Sequence, residues 1–272
     1  MAESLFHFTH GEFKCIAIRD GGHMGSADFL FVNAPADELS AALRKHNLEM
    51  DQLPSSWTCL LVDTGDVKLL VDTGVGGGNP NGGQLLPQIE QSGYSAADID
   101  LVFITHGHPD HLGGSAGEDN KPVFPRAKYL IGKRELEFWM EQSEDGMVKF
   151  IRPKLKAIED QLETVEGESE VLPGIRVIEA YGHTPGHLGL EISSQGETLL
   201  NLADSVLNPL HLEHPERYSR VDVHPEQMIA TRLRLLELAA QQKSLVLFFH
   251  FEFPSLGYVE KDGTRWSWQF VR

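Results

Sequence analysis

Thr105-His106-Gly107-His108-Pro109-Asp110-His111 follows directly on the apolar run Ile99-Asp100-Leu101-Val102-Phe103-Ile104. The run alternates imperfectly, but its length and β-branched content suit a buried strand. Gly107 and Pro109 disfavour a helical continuation, which places the motif on a tight turn at the strand's end. Four potential metal ligands, His106, His108, Asp110 and His111, fall within six residues. Imidazole and carboxylate together suit zinc and its first-row neighbours. A surface loop that is merely rich in histidine is the plain alternative, and the tight spacing argues against it.

Around this motif stretch 272 residues, 41% hydrophobic and 23% charged, the composition of a soluble globular protein. One layered domain, residues 1–272, accommodates that length. No run approaches the ~18 apolar residues of a membrane-spanning helix. The N-terminus lacks a basic segment followed by an apolar one, so the expected location is the cytoplasm. Forty acidic residues against 23 basic leave a formal charge of −17, which argues against nucleic-acid and anionic-membrane partners. A small-molecule substrate is the expected partner, and a homodimer is compatible with the composition. Cys15 and Cys59 belong to no Cys-x-x-Cys pair and read as reduced thiols outside any metal site.

Along the chain, Phe13–Ile18 reads as a first strand, turning at Gly21-Gly22, and Phe29–Val32 as a short apolar run. Ala36–Leu48 has helical composition, and Cys59–Val62 with Lys68–Val71 reads as a β-hairpin around Thr64-Gly65-Asp66. Gln84–Ser92 reads as a short helix and Lys128–Ile131 as a strand. Lys133–Glu141 reads as one helix and Val148–Val165 as another, started or kinked at Pro153. Strands follow at Ile175–Ala180, Leu188–Ile192, Thr198–Leu202 and Leu245–Phe249. Between the last two, Pro225–Ala240 is a Leu-rich helix with Pro in its first turn.

Candidate ligands recur at the ends of these strands: His106 to His111, then His183, Asp204 and His250. Ligands at separate strand ends can converge on one edge of a pair of sheets. Five His and two Asp make two sites if one carboxylate is shared; two metals ~3.5–4 Å apart are the usual hydrolytic arrangement.

The chain resembles the metallo-β-lactamase superfamily of metallohydrolases. The residues that match are His106–His111, Asp72-Thr73-Gly74, Gly182–His187, Asp204 and His250, in the family's order. The resemblance implies an α/β fold, an αββα sandwich of two mixed β-sheets flanked by helices, with the site at one edge. It implies two divalent ions, Zn²⁺ first and Mn²⁺ or Fe²⁺ as alternatives. His106, His108 and His183 would hold one, Asp110, His111 and His250 the other, with Asp204 bridging. The implied nucleophile is a hydroxide between the metals, and Asp110 would relay its proton to the leaving group. His187 is expected to be a structural hydrogen-bonding residue, and Asp72 to fix a ligand imidazole. His211 and His214 could add a ligand or a loop contact. His7, His10, His23, His46 and His224 default to surface or capping positions.

Within the superfamily, His108 stands where flavodiiron proteins have Glu. Only residues 251–272 follow His250, where glyoxalase II has a helical domain. The charge disfavours the nuclease members, and the second site lacks the Cys of secreted β-lactamases. What remains resembles the branch of lactonases and methyl-parathion-type phosphotriesterases. Its marks are a long N-terminal section, a helical insertion at about 132–165 and the ending His250-Phe251-Glu252-Phe253-Pro254. Acyl-homoserine lactonases place a Tyr three residues after the bridging Asp; Leu207 stands there in this chain. Phe251 and Phe253 are the pocket candidates, and 208–220 is a candidate lid. The expected activity is hydrolysis of lactones or related esters. The alternatives are phosphotriester hydrolysis, a mononuclear iron oxygenase of the persulfide dioxygenase type, and a metal-binding protein without turnover.

Overall fold

Runs such as Cys59-Leu60-Leu61-Val62 are apolar at every position because the strand is covered on both faces. The computed structural model of the chain describes residues 3–144 and 146–271, so Met1, Ala2, Asp145 and Arg272 of the expected domain lie outside the described residues. Two seven-stranded sheets carry the architecture, each ordered along the chain. The first comprises β1 (Leu5–His10), β2 (Phe13–Gly25), β3 (Leu53–Asp63), β4 (Lys68–Val71), β5 (Leu101–Ile104), β6 (Lys128–Gly132) and β7 (Leu162–Val165). It is antiparallel as far as β4 and parallel from β4 to β7. The second comprises β8 (Glu170–Leu172), β9 (Ile175–Glu179), β10 (Leu188–Ser194), β11 (Glu197–Ala203), β12 (Leu245–Phe248), β13 (Leu256–Asp262) and β14 (Arg265–Phe270). Only its β11–β12 pair is parallel.

The helices are α1 (Ala27–Leu30), α2 (Ala36–Lys45), α3 (Leu85–Gln91), α4 (Pro109–Leu112), α5 (Lys133–Glu141), α6 (Val148–Ala157), α7 (Leu210–Glu213) and α8 (Pro225–Gln242). Alternate residues of each strand sort into two cores. Val62, Val71 and Phe103 meet Val177, Leu190 and Leu247 between the sheets. On the outer face of the first sheet, Leu61, Val102 and Ile131 pack with Ile89, Trp139 and Ile151 of α3, α5 and α6. On the outer face of the second, Leu200 and Val246 pack with Leu235, Leu236 and Ala239 of α8. The layering is the expected αββα sandwich.

Several local readings change. Gly21-Gly22 is no turn: β2 runs through it with a bulge, and the missing side chain admits the loop at Asn81, whose carbonyl would lie 2.2 Å from a Cβ at Gly21. Phe29 and Leu30 belong to α1 rather than to an extended run. The helix from Val148 ends at Ala157, with Pro153 inside it; residues 162–165 form β7, paired with β6. Gln161 caps the change of direction by donating its side-chain amide to the Ala127 carbonyl at 2.6 Å. The hairpin β13–β14, after His250, closes the second sheet's edge.

Candidate metal centre

The chemically active side chains sit where strands stop. β5 leads into His106, and Pro109 occupies the first turn of α4, which carries Asp110 and His111. β9, β11 and β12 lead to His183, Asp204 and His250. Two of the bends adopt left-handed backbone at non-glycine residues, Asp72 (φ 62) after β4 and Ala203 (φ 41) before Asp204. Such conformations cost about 1–3 kcal/mol each and persist where the surroundings fix them.

All seven predicted ligands converge in two groups. His106, His108, His183 and Asp204 offer ligand atoms within 4.8 Å of one another, and so do Asp110, His111 and His250. His108 Nδ1 lies 3.0 Å from both His106 Nε2 and His183 Nε2. Asp204 spans the groups: its Oδ2 is 3.3 Å from His183 Nε2 and 3.1 Å from His250 Nε2, and its Oδ1 is 3.2 Å from His111 Nε2. Asp110 Oδ2 lies 3.5 Å from His250 Nε2.

The far sides of the rings are held. Asp72 accepts from His111 Nδ1 at 2.8 Å and from the Thr105 backbone and hydroxyl at 2.8 and 2.9 Å. Asp222 Oδ1 faces His183 Nδ1 at 2.8 Å, and the Ser55 hydroxyl lies 3.0 Å from His250 Nδ1. A carboxylate at Nδ1 fixes that nitrogen as a donor and turns Nε2 towards the centre. Burial drives His106 and His108 well below the ordinary histidine range, so both are neutral and able to coordinate at neutral pH. Burial opposes ionisation of Asp204, but His250 and His111 outweigh it and hold the carboxyl well below its usual range.

These residues fit a divalent metal. His111 Nε2 and Asp204 Oδ1 are buried and have no hydrogen-bond partner, an unusual state that a cation between them satisfies. His106 Nε2 and His183 Nε2, each 3.0 Å from His108 Nδ1, likewise suit a cation shared by the three imidazoles. Asp204, reaching both groups, suits a pair.

The centre opens into a cavity of about 170 Å³. Its walls include Phe29, Leu30, Leu53, Met147 and Leu207, with His23 and Asn208 as further polar groups. Phe251 is not among them and corrects the expectation: it is fully buried on the far side of β12, 4.8 Å from Phe248 and 4.9 Å from Trp268. The chain turns immediately after His250, with Phe251 N–H bonded to the Phe248 carbonyl, and this directs the ring to the α8 layer. Phe253 lines an adjoining open groove instead. His211 is buried against Phe31, its Nε2 3.1 Å from the Leu30 carbonyl, and burial pushes it down to about 3. His214 lies beside Glu216, and neither histidine reaches the two groups. His187 binds the Ala180 carbonyl and faces the Asp204 backbone N–H. Of segment 208–220 only Asn208 lines the cavity; the buried Arg232 of α8 ties down its Pro215 and Arg217 carbonyls.

Three residues of the site escape the sequence reading, and His23, expected at a surface or capping position, lines the cavity. Asp222 and Ser55 lie far from the ligands along the chain and in no motif, and no spacing signals them. Glu135 does too, although it touches both ligand-bearing turns.

Fold and site define a metal-dependent hydrolase of the αββα class. The sequence profile of the metallo-beta-lactamase superfamily matches residues 55–250, and the chain belongs to that superfamily. The N-acyl homoserine lactonase AiiA of Bacillus thuringiensis subsp. kurstaki is 28% identical over 214 residues, covering 71% of this chain and 80% of its own length. Among solved structures, AidC, a dizinc quorum-quenching lactonase in complex with a product, is 26% identical and covers 99% of both chains with a TM-score of 0.93. The hydrolase AbOPH, 23% identical, shares the fold at a TM-score of 0.92 over 100% of this chain and 99% of its own.

Proposed function

We propose that this protein hydrolyses lactones, or closely related esters, with two divalent cations, zinc in the first place. The observation that carries the reading is Asp204, whose two oxygens lie 3.1–3.3 Å from ligand nitrogens of both groups. The lactonase relatives support the substrate class. His106, His108 and His183 would hold one cation, and Asp110, His111 and His250 the other, with Asp204 shared. Bound there, the cations supply Lewis acidity, polarising a carbonyl and acidifying water.

The chain's own residues do the rest. Asp72, Asp222 and Ser55 orient the rings, so the ligand set needs little rearrangement on binding. The Asp110 carboxylate, partly exposed at the cavity, would take the proton of the attacking water and return it to the ring oxygen as the C–O bond breaks. Phe29, Leu30, Leu53 and Leu207 form apolar walls for the alkyl or acyl part of the substrate. We place the activity in the cytosol, a reading that two free buried cysteines support.

The test loads the chelated protein with zinc, manganese or iron and assays lactones, esters, phosphotriesters and phosphodiesters in parallel. Lactone opening, followed as proton release, is expected to lead, and Asp204→Ala to lower it at least ~100-fold. Preference for phosphotriesters would shift the substrate class. One tightly held iron, no hydrolysis and oxygen consumption with glutathione persulfide would overturn the reading.

A further inference from the structure

Glu135 lies in the first turn of α5 and is fully buried. One carboxylate oxygen accepts from the Gly107 backbone N–H at 2.8 Å and from the Trp139 indole N–H at 2.6 Å. The other accepts from the Thr184 hydroxyl at 2.6 Å and the Gly186 N–H at 3.1 Å. Gly107 stands between His106 and His108, and Thr184 directly follows His183. The two oxygens of a single carboxylate therefore each hold one turn, one from each sheet, beside ligands of the same group; Asp110 and His111, farther along the first turn, lie in α4, where His111 is held by Asp72 instead.

A buried carboxylate without a cationic partner is costly unless donors surround it. Here four donors do so, and three of them come from the ligand turns. The packing is correspondingly close. A Cβ at Gly107 would sit 2.4 Å from Trp139 Nε1, and one at Gly186 would sit 2.1 Å from the Glu135 backbone nitrogen. Both glycines of the motifs are thus explained by the approach of α5. The Asp110, His111 and His250 group has other supports, Asp72 and Ser55, and Glu135 touches neither.

We propose that Glu135 is a positioning residue that fixes the spacing of the two turns, and with it the geometry of the His106, His108 and His183 group alone. The proposal rests on the two-cation reading above. Its consequence is asymmetric: disturbing Glu135 weakens one metal site and spares the other. In Glu135→Gln the shape is kept, but one oxygen becomes an NH₂ that faces two donors, releasing one turn.

The experiment titrates Co²⁺ into the chelated protein against a competing chelator and follows the cobalt visible spectrum. The unsubstituted chain is expected to bind two Co²⁺. Glu135→Gln is expected to weaken one step by about 10–100-fold and to leave the other within about twofold. Ser55→Ala, which removes the hydroxyl beside His250 Nδ1, is expected to weaken the opposite step, which assigns the steps to their groups. Thr184→Val, removing a single donor, is expected to act on the same step as Glu135→Gln with smaller effect, and it carries the test should Glu135→Gln fail to fold. Equal weakening of both steps, or of neither, in variants with an unchanged urea midpoint would overturn the proposal while leaving the two-cation reading intact. Failure of the unsubstituted chain to bind Co²⁺ would overturn that reading, and the proposal with it.

Discussion

Asp72 shows how much of the centre depends on single atoms. Its left-handed backbone turns the carboxylate onto Thr105 and His111, where it accepts three hydrogen bonds in a fully buried setting. In Asp72→Asn, an NH₂ must face at least one of those donors, and His111 loses the group that keeps its proton on Nδ1. We expect about a 10–100-fold loss of metal affinity, read by chelator competition; unchanged affinity would contradict the role. Gly186→Ala drives a methyl to 2.1 Å from the Glu135 nitrogen. Relief requires backbone movement, with an expected cost of about 1–3 kcal/mol in urea denaturation. The ligands were legible in the sequence because His-x-His-x-Asp-His compresses four of them into one turn. Asp222 and Glu135 were not, because a residue that orients a ligand across the fold needs only to arrive at the right place and carries no spacing of its own.

At the scale of elements, legibility followed burial. Strands covered on both faces, such as β4, β5 and the Cys59–Val62 end of β3, announce themselves as continuous apolar runs. β7 does not. Its Leu162 and Val165 continue the spacing of α6 and read equally well as helix; pairing with β6 decides the matter, and that partner is invisible locally. The β13–β14 hairpin did carry a signal, Asp262-Gly263 with Gly263 at φ 61, but a ligand-centred reading stops at His250. Phe251 differs from expectation for a related reason: adjacency to a ligand does not give a side chain's direction when the chain turns at that ligand. α8 supplies the outer layer of the second sheet, with Leu236 fully buried. Leu236→Ala is expected to cost about 2–5 kcal/mol by denaturant unfolding. Because no α8 leucine lines the cavity, the activity of the folded fraction should stay within about twofold of the parent under the same assay.

For the whole molecule, the decisive fact is that each metal group draws on both sheets. His106 and His108 follow β5, whereas His183 and Asp204 follow β9 and β11; Asp110 and His111 again follow β5, and His250 follows β12. The centre exists only when the sheets are packed, so cations that bind it stabilise the native state as a whole. At a free-metal concentration 100 times the dissociation constant, one site contributes about 2.7 kcal/mol, and chelation should lower the melting temperature of the entire transition rather than melt a local segment. If both sites serve one reaction, adding Zn²⁺ stepwise to chelated protein while following the initial rate of lactone opening should give little activity through the first equivalent and a steep rise to a plateau at two. A rate already maximal at one equivalent, or no lactone opening at two, would contradict it.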